Sequence, residues 1–270
     1  MRRSILVVAV GLGVVAASAA SGCSKDDAAK PMPPAAPIAS SVTVGSKGID
    51  FAIDPTSKTS IDMPAPKERI KATTTAAKGT VHFDPSDLTM TRGDVLIDLS
   101  TLTTSTFGDA DKDATQTKHA HTWLQIDDME KDPAVRERNR WVHFAIRSVD
   151  GLSATDLAKV APATVGGDDV RTVTLVAHGD IEAHSLPSKT TRDAPLEVKF
   201  HVPAGSPPGT KPTKLEIASK QPLTIQLADH DIKPRDTEGI LAQKAFDLLG
   251  TKVANEANVS VMLVANPGSP

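Results

Sequence analysis

The sequence predicts an all-β protein with about eight antiparallel strands and one or two short helices. From Val42 onward, apolar residues alternate with polar ones in short runs, and Gly, Pro, Asp and Asn bound these runs. Helical periodicity is rare. Alternation with a period of two is expected of a strand that has one buried face and one solvated face. A β-sandwich and a closed barrel both fit this pattern, which does not separate them.

The clearest predicted strand runs from Gly93 to Leu102. Its apolar side chains alternate to one face, and Asp94 and Asp98 are predicted on the solvated face. The same pattern predicts further strands at Ile49–Ile53, Ile70–Thr75, Thr80–Phe83, Trp141–Val149, Val170–Ala177, Leu196–Val202, Leu223–Leu227 and Val259–Val264.

Two segments have helical character. Leu and Ala recur at spacings of three and four within Gly239–Gly250, where the final glycine is a plausible stop signal. Asp111–Leu124 begins with residues that favour a helix start and continues with good helix formers. The Pro- and Gly-rich segments Ala161–Asp169 and Ala204–Pro212 are predicted to be surface loops.

Residues 1–22 are predicted to form a lipoprotein signal peptide. Basic residues precede an apolar stretch, Ile5 to Ala20, that is too short and too glycine-rich for a transmembrane helix. Small residues then lead to Cys23, the only cysteine in the chain, which is predicted to be acylated. The alternative is a secretory peptide cleaved after Ala17-Ser18-Ala19, which leaves Cys23 as a thiol. Acylation predicts a lipid-anchored protein of the bacterial cell envelope that faces the periplasm. Ser24 favours the outer membrane over the inner one.

The remaining chain divides into three parts. Residues 23–41 are rich in Pro, Ala and charged residues and are predicted to be a disordered tether. The β-domain is predicted over residues 42–266, with a flexible tail at 267–270. Because there is no second cysteine, the core must hold this domain together without an internal disulfide.

Composition excludes several kinds of partner. The formal net charge is −3, and it becomes −5 once Arg2 and Arg3 are removed with the leader. A mildly acidic chain without a Lys/Arg run is not expected to bind nucleic acid or anionic lipid. Outside the leader, motifs of hydrolases, metalloproteases and nucleotide-binding enzymes are absent from the sequence, so a non-enzymatic function is expected.

A set of segments occurs in a characteristic order along the chain. These are Gly79–Pro85, Val95–Thr104, Trp123-Leu124, Trp141–Phe144, Val176–Gly179, Pro195–Phe200 and Ile232–Asp236, with Gly239 before the final strand. The ordered set resembles the YceI-like polyisoprenoid-binding family over roughly Ser41 to Ala265. The resemblance implies a lipocalin-like antiparallel barrel whose apolar interior holds a long isoprenoid chain. Two segments depart from it: Asp180–Arg192, a longer polar connection, and Gly151–Asp169, which resembles an insertion.

The inward-facing apolar residues are the candidate lipid-binding site. Alternation does not decide whether they fill a core or line a cavity; the resemblance implies a cavity. A prenyl quinone or a polyprenol is the expected occupant, and no cofactor is expected. The candidate residues are Phe83, Val95, Ile97, Leu99, Phe144, Ile146, Leu175, Val198, Phe200, Ile225 and Leu227.

Two alternative functions stay open at this point. A fully packed barrel could serve as an interaction module that binds a protein of the cell envelope. A metal-dependent enzyme could use His119 and His121, which share a face only if that stretch is a strand. The Asp229-His230-Asp231 cluster is predicted to be a solvated loop with local ion pairs, although it could meet a ligand head group.

Overall fold

The computed structural model describes residues 48–64, 69–188, 190–207, 209–233 and 255–268. The predicted leader and tether, Cys23, the predicted helix Gly239–Gly250 and the end of the predicted tail lie outside the described residues.

The described residues form fourteen β-strands and two α-helices. The strands are β1 (Ile49–Ile53), β2 (Lys58–Pro64), β3 (Arg69–Thr74), β4 (Ala77–Phe83), β5 (Arg92–Asp98), β6 (Thr103–Thr104), β7 (Trp141–Asp150), β8 (Ala163–Val165), β9 (Asp168–Ala183), β10 (Leu186–Pro187), β11 (Arg192–Pro203), β12 (Lys214–Ser219), β13 (Leu223–Gln226) and β14 (Glu256–Pro267). The helices are α1 (Ala110–Trp123) and α2 (Pro133–Asn139).

Eight of these strands close into an antiparallel ring. Its order is β1-β4-β5-β7-β9-β11-β12-β14, and β14 returns to β1. The closing pair places Ile53 opposite Ala265 and Phe51 opposite Pro267. A sandwich has no such closing pair, so the predicted lipocalin-like barrel is confirmed and the sandwich is excluded.

Two of the ring positions next to β14 are each shared by two strands. β1 and β2 both lie along β14, while β3 and β6 extend the sheet beyond β2. β12 and β13 also both pair with β14, on its other edge. The chain between them contains Pro222, which has no N–H group to donate to a ladder.

The side chains divide into two apolar clusters. The larger cluster runs along the barrel interior and contains inward-facing residues such as Val173, Leu175 and Val198. The smaller cluster consists of Ala72, Leu99, Leu102 and Leu124, with Ile126, Ile232 and other partly buried residues packed against it. Because Leu124 follows α1 directly, this second cluster packs that helix against one end of the barrel.

The prediction that Gly93–Leu102 is one strand with Asp98 on a solvated face is wrong. β5 ends at Asp98, whose carboxylate accepts hydrogen bonds from the backbone N–H and the hydroxyl of Ser100, and a 3-10 turn follows. Asp98 is 2% exposed. Arg140, which lies 42 residues away, donates two hydrogen bonds to the carboxylate and so stabilises its burial.

Other segments also differ from their predictions. The predicted polar connection Asp180–Arg192 begins with the last residues of β9 and continues as a tight turn at His184 and Ser185, both at positive φ. The predicted loop Ala161–Asp169 contains β8. The prediction for Asp111–Leu124 is confirmed by α1, which Asp109 caps through the N–H of Lys112. No described helix combines the length and the apolar character that crossing a membrane requires.

Candidate functional site

One end of the barrel is closed by three aromatic rings. Phe83 packs edge-on against Phe51 at a centroid distance of 6.4 Å and against Phe200 at 5.2 Å. All three are essentially fully buried, and so are Leu88 and Leu157, which come from 3-10 turns outside the strands at this end. We call this the plugged end. The opposite end, which carries α1, is called the helix end.

The barrel interior contains an apolar cavity that begins next to the plug. Seven of the eight ring positions contribute to its wall, and 20 of the 22 described lining residues are apolar. On β9 the lining extends from Leu175 to Ile181, which corresponds to roughly 20 Å along the strand at about 3.3 Å per residue. The cavity therefore follows the barrel from the plug toward the helix end.

The cavity is long and narrow. Its volume is about 90 Å³, spread along this course. An engineered apolar cavity of about 150 Å³ binds benzene. The narrow interior therefore suits a slender chain, and a bulkier occupant requires the wall side chains to move.

Among the described lining residues, two are polar, Thr91 and Ser219. The hydroxyl of Thr91 donates to the carbonyl oxygen of Leu88 at 2.6 Å, so its donor is already used. Acidic, basic and histidine side chains are absent from the described lining. This wall offers burial and van der Waals contact to a ligand, and it presents no acid, base or charged nucleophile.

Eight of the eleven predicted lipid-binding residues are brought together around the cavity. They are Phe83, Val95, Ile97, Phe144, Ile146, Leu175, Val198 and Ile225. Their shared position follows from the strand period, because each lies on the inward face of its strand.

Three predicted lipid-binding residues lie elsewhere. Leu99 belongs to the cluster beneath α1, because the 3-10 turn that starts there takes it out of the alternation. Phe200 faces inward but contributes to the plug. Leu227 is the first residue of the 3-10 turn Leu227–His230 and does not reach the cavity.

The sequence prediction missed much of the cavity wall. Ile217 and Ser219 come from β12, a strand that the prediction omitted because its alternation is short. The remaining omitted residues lie on predicted strands or their extensions, where a systematic reading of inward positions could have found them. They are Val81, Thr91, Val142, Val149, Ala177, Ile181, Ala194, Leu196, Leu223, Val259, Val261 and Leu263.

At the helix end, the 3-10 turn Leu227–His230 is tied to the β9–β10 hairpin. A ring nitrogen of His184 hydrogen-bonds the carbonyl oxygen of His230 at 3.1 Å, and a ring nitrogen of His230 hydrogen-bonds the carbonyl oxygen of Leu186 at 2.8 Å. His230 is 1% exposed, so the prediction of a wholly solvated Asp229-His230-Asp231 loop is wrong at its central residue. Asp231 keeps the predicted local ion pair, with Lys233.

Charged groups are concentrated on the outer face of the wall. Burial raises the pKa of Asp98, but hydrogen bonds from Arg140 and Ser100 outweigh this effect and hold the pKa below its ordinary value. Hydrogen bonding to Asp193, supported by Asp150, raises the pKa of His178. The His178 pairs link β9 to its neighbours β7 and β11, whereas the Asp98 pair links the end of β5 to Arg140 at the end of α2. The residues of these pairs are not among those that line the cavity.

The His119-Ala120-His121 stretch lies on α1, where side chains two positions apart point in different directions. A ring nitrogen of His121 hydrogen-bonds the carbonyl oxygen of Leu102 at 3.0 Å, whereas His119 is exposed. Among the described residues, no group of three or more His, Cys, Asp or Glu side chains is arranged to hold a metal ion.

No protein-family model matches the chain, and no curated protein matches it. Among solved structures, the chain is similar to a polyisoprenoid-binding domain from Saccharophagus degradans, at 16% identity and a TM-score of 0.46 over 82% of this chain and 99% of that one. It is also similar to BcnA from Burkholderia cenocepacia, at 12% identity and a TM-score of 0.45 over 79% and 99%. A mutant CJ YceI protein matches at 11% identity and a TM-score of 0.37 over 73% and 85%. The chain is thus similar to solved proteins described as polyisoprenoid-binding or YceI, at low identity.

Proposed function

We propose that the protein binds the apolar chain of an isoprenoid or a similar amphipathic lipid inside its barrel, without catalysis. The observation that carries this proposal is the nearly uniform apolar wall of the cavity. Each methylene group taken out of water into such a wall contributes about 0.8 kcal/mol, before the chain's ordering entropy is subtracted. A prenyl quinone or a polyprenol fits this chemistry, since its tail needs no polar partner.

The two ends of the barrel differ, and this difference sets the orientation of the bound lipid. The plugged end is sealed by buried aromatic rings, so the tail stops there and the polar head group stays toward the helix end. Phe144 lies in the wall of the cavity and is only partly buried. Its ring is the bulky group best placed to move when a chain enters the narrow space.

Carriage, storage or sequestration of the lipid is the task that fits such a barrel. Acylation of Cys23 would hold the protein to a membrane of the cell envelope, with the barrel in the periplasm and the outer membrane as the proposed location. Stable anchoring needs two or more acyl chains, because a single chain binds membranes only reversibly.

Native purification followed by mass spectrometry tests the proposal. The protein is purified without organic solvent and extracted, and the extract is compared with that of a variant carrying Val261→Trp. Val261 lines the cavity and is partly exposed, so an indole there should fill the space that the lipid needs. A prenyl lipid near one equivalent in the parent, and a reduced amount in the variant, is the expected result.

Met262→Trp is the matched control, because Met262 is the next residue on β14 and is 65% exposed on the outer face. This variant should retain the lipid. If the parent extract holds no lipid and the purified protein also fails to bind added all-trans-retinol, the barrel is not a lipid carrier.

A further inference from the structure

The barrel wall is interrupted between β11 and β13. β11 pairs with β12 only from Leu196 to His201, whereas its pairing with β9 continues down to Arg192. β13 pairs with β14 over its whole length, and no ladder joins β13 to β11 among the described residues. Among the described strands, residues 192–195 of β11 therefore have a partner on one edge only.

The sequence explains why the ladder stops. Pro195 on β11 and Pro222 just before β13 both lack the N–H group that a ladder requires. The backbone N–H of Lys220 donates to the carbonyl oxygen of Pro195 at 2.9 Å, which is the last backbone hydrogen bond between β11 and this connection within the described part of the chain.

Side chains at the interruption belong to the cavity wall. Ala194 on β11 and Leu223 on β13 both line the cavity, and both are partly exposed, unlike the buried lining residues near the plug. The small side chain of Ala194 leaves little bulk between the interior and the outside.

The two ends of the barrel offer no comparable opening among the described residues. Phe51, Phe83 and Phe200 close the plugged end. At the helix end, α1 covers the second apolar cluster. The turn Leu227–His230 is tied to the β9–β10 hairpin by hydrogen bonds between the rings of His184 and His230 and backbone carbonyl groups.

One ion pair spans the interruption. The guanidinium of Arg192 on β11 lies 3.5 Å from the carboxylate of Asp229, which belongs to the turn directly after β13. Both side chains are about three-quarters buried. β13 and this turn thus form a strap that is paired to β14 on one side and held to β11 by charge on the other.

We propose that the lipid passes sideways through the wall between β11 and β13, and that the Arg192–Asp229 pair is the latch of this lateral portal. The inference rests on the proposed lipid-binding function and concerns the route to that site. Opening the strap breaks this ion pair and the two hydrogen bonds that tie the turn Leu227–His230 to the β9–β10 hairpin, and it leaves the β13–β14 ladder intact, so the barrel need not unfold for exchange.

Cross-linking tests the route. Cys23 is the only cysteine, so the full chain with Cys23→Ala can carry a defined pair of thiols. Arg192→Cys with Asp229→Cys places them across the interruption, and a flexible bis-maleimide then joins them. The control pair, Glu197→Cys with Ala218→Cys, spans β11 and β12 where the ladder is continuous. All-trans-retinol, a fluorescent isoprenoid alcohol, is the probe in every arm.

Bridging the portal pair should prevent retinol from entering empty protein and from leaving loaded protein. Bridging the control pair should change neither the association rate nor the dissociation rate of retinol. Parent-like exchange in the bridged portal variant would overturn the portal. Failure of the unbridged Cys23→Ala protein to bind retinol would instead overturn the proposed function, and the portal with it.

A second measurement isolates the latch. Arg192→Ala should raise the association and dissociation rates of retinol together, by about two- to fivefold as expected for a partly exposed ion pair, and leave the Kd unchanged. The exchanged pair, Arg192→Asp with Asp229→Arg, should restore the parent rates. Parent rates in Arg192→Ala would refute the latch, and a Kd changed through one of the two rates alone would place Arg192 in the binding site instead.

Discussion

Gly179 on β9 lies directly beneath the ring of Phe144 on β7. A methyl group at position 179 would come within 2.5 Å of the ring carbon Cε2 and of the carbonyl oxygen of Ala145. The ring can rotate, but the carbonyl oxygen is held in the wall between β7 and β9. Glycine at this position is what lets the aromatic ring lie against the cavity wall.

We therefore expect Gly179→Ala to destabilise the barrel by about 1–3 kcal/mol, the usual range for overpacking. The free energy of unfolding in urea measures this effect. Adding Phe144→Leu should recover part of the loss, since it removes the ring contact but not the clash with the Ala145 carbonyl group. Full stability of Gly179→Ala alone would mean that the two strands separate readily.

The aromatic plug sets the depth of the cavity. Phe200→Ala should destabilise the protein by about 3–5 kcal/mol because it leaves a void next to Phe83. If the fold survives, isoprenoid alcohols with longer tails should gain affinity relative to shorter ones. Phe200→Leu, with a smaller void, is the control. An unchanged preference for tail length in a folded Phe200→Ala protein would place the end of the tail elsewhere.

Leu99 and Ile97 are matched probes of the cavity boundary. Ile97 lines the cavity, whereas Leu99, two residues further on, packs beneath α1. Either residue changed to alanine should lower stability by about 2–5 kcal/mol. Only Ile97→Ala should alter the Kd for retinol, measured by fluorescence titration. An equal effect of both variants on the Kd would show that α1 moves away when lipid binds.

Asp98 makes the stability of the protein vary with pH in the acidic range. Its folded pKa lies below the ordinary value of 3.8, so the folded state binds fewer protons than the unfolded chain between these two values. Its contribution is present above about pH 4 and is lost as the pH falls through the folded pKa. Asp98→Asn should cost about 2 kcal/mol at pH 7, less than for a fully buried pair because Arg140 is partly exposed.

Urea unfolding of the parent and of Asp98→Asn between pH 2.5 and pH 7 checks this prediction. The difference in the free energy of unfolding should shrink as the pH falls. A difference that stays constant over this range would show that the carboxylate's charge contributes nothing beyond its hydrogen bonds.

The contribution of His178 to stability depends on pH in the opposite direction from that of Asp98. Its folded pKa is raised above the ordinary value of 6.5, so its contribution to stability is fully present below pH 6.5 and is lost as the pH rises through the folded pKa. Its ring nitrogens lie 2.7 Å from Asp193 and 3.1 Å from Asp150, which belong to β11 and β7. The charged ring therefore holds three strands together.

We expect His178→Gln to lose stability at pH 5.5 and to match the parent more closely at pH 9, as measured by urea unfolding. His119→Gln is the control, because His119 is exposed on α1. A larger loss at pH 9 than at pH 5.5 would contradict the raised pKa.

Local patterns were enough to predict the strands that have one buried and one solvated face. Ile49–Ile53 was predicted with its observed bounds, because its alternation is carried by residues within the strand. β2 was missed because its sequence is mostly polar and its buried residue is Thr59. Burial of Asp98 was missed because its partner, Arg140, comes from a distant part of the sequence.

Closure and cavity size could not be predicted in the same way. Closure depends on the pairing of Ile53 with Ala265, which no periodicity within either strand reveals. The inward face of each strand was predictable, but the width between opposite faces depends on how all strands tilt around the ring. Most of the residues that the sequence predicted to face the interior do line the cavity. The volume that they enclose could not be predicted from the sequence.

β14 pairs with four other strands, β1, β2, β12 and β13, and it is the most C-terminal strand among the described residues. During synthesis, those four strands leave the ribosome before β14, with edges that no other described strand covers. Such edges are prone to pair with other chains. The ring therefore closes only after β14 has been made, and until then these edges are open to pairing with other chains.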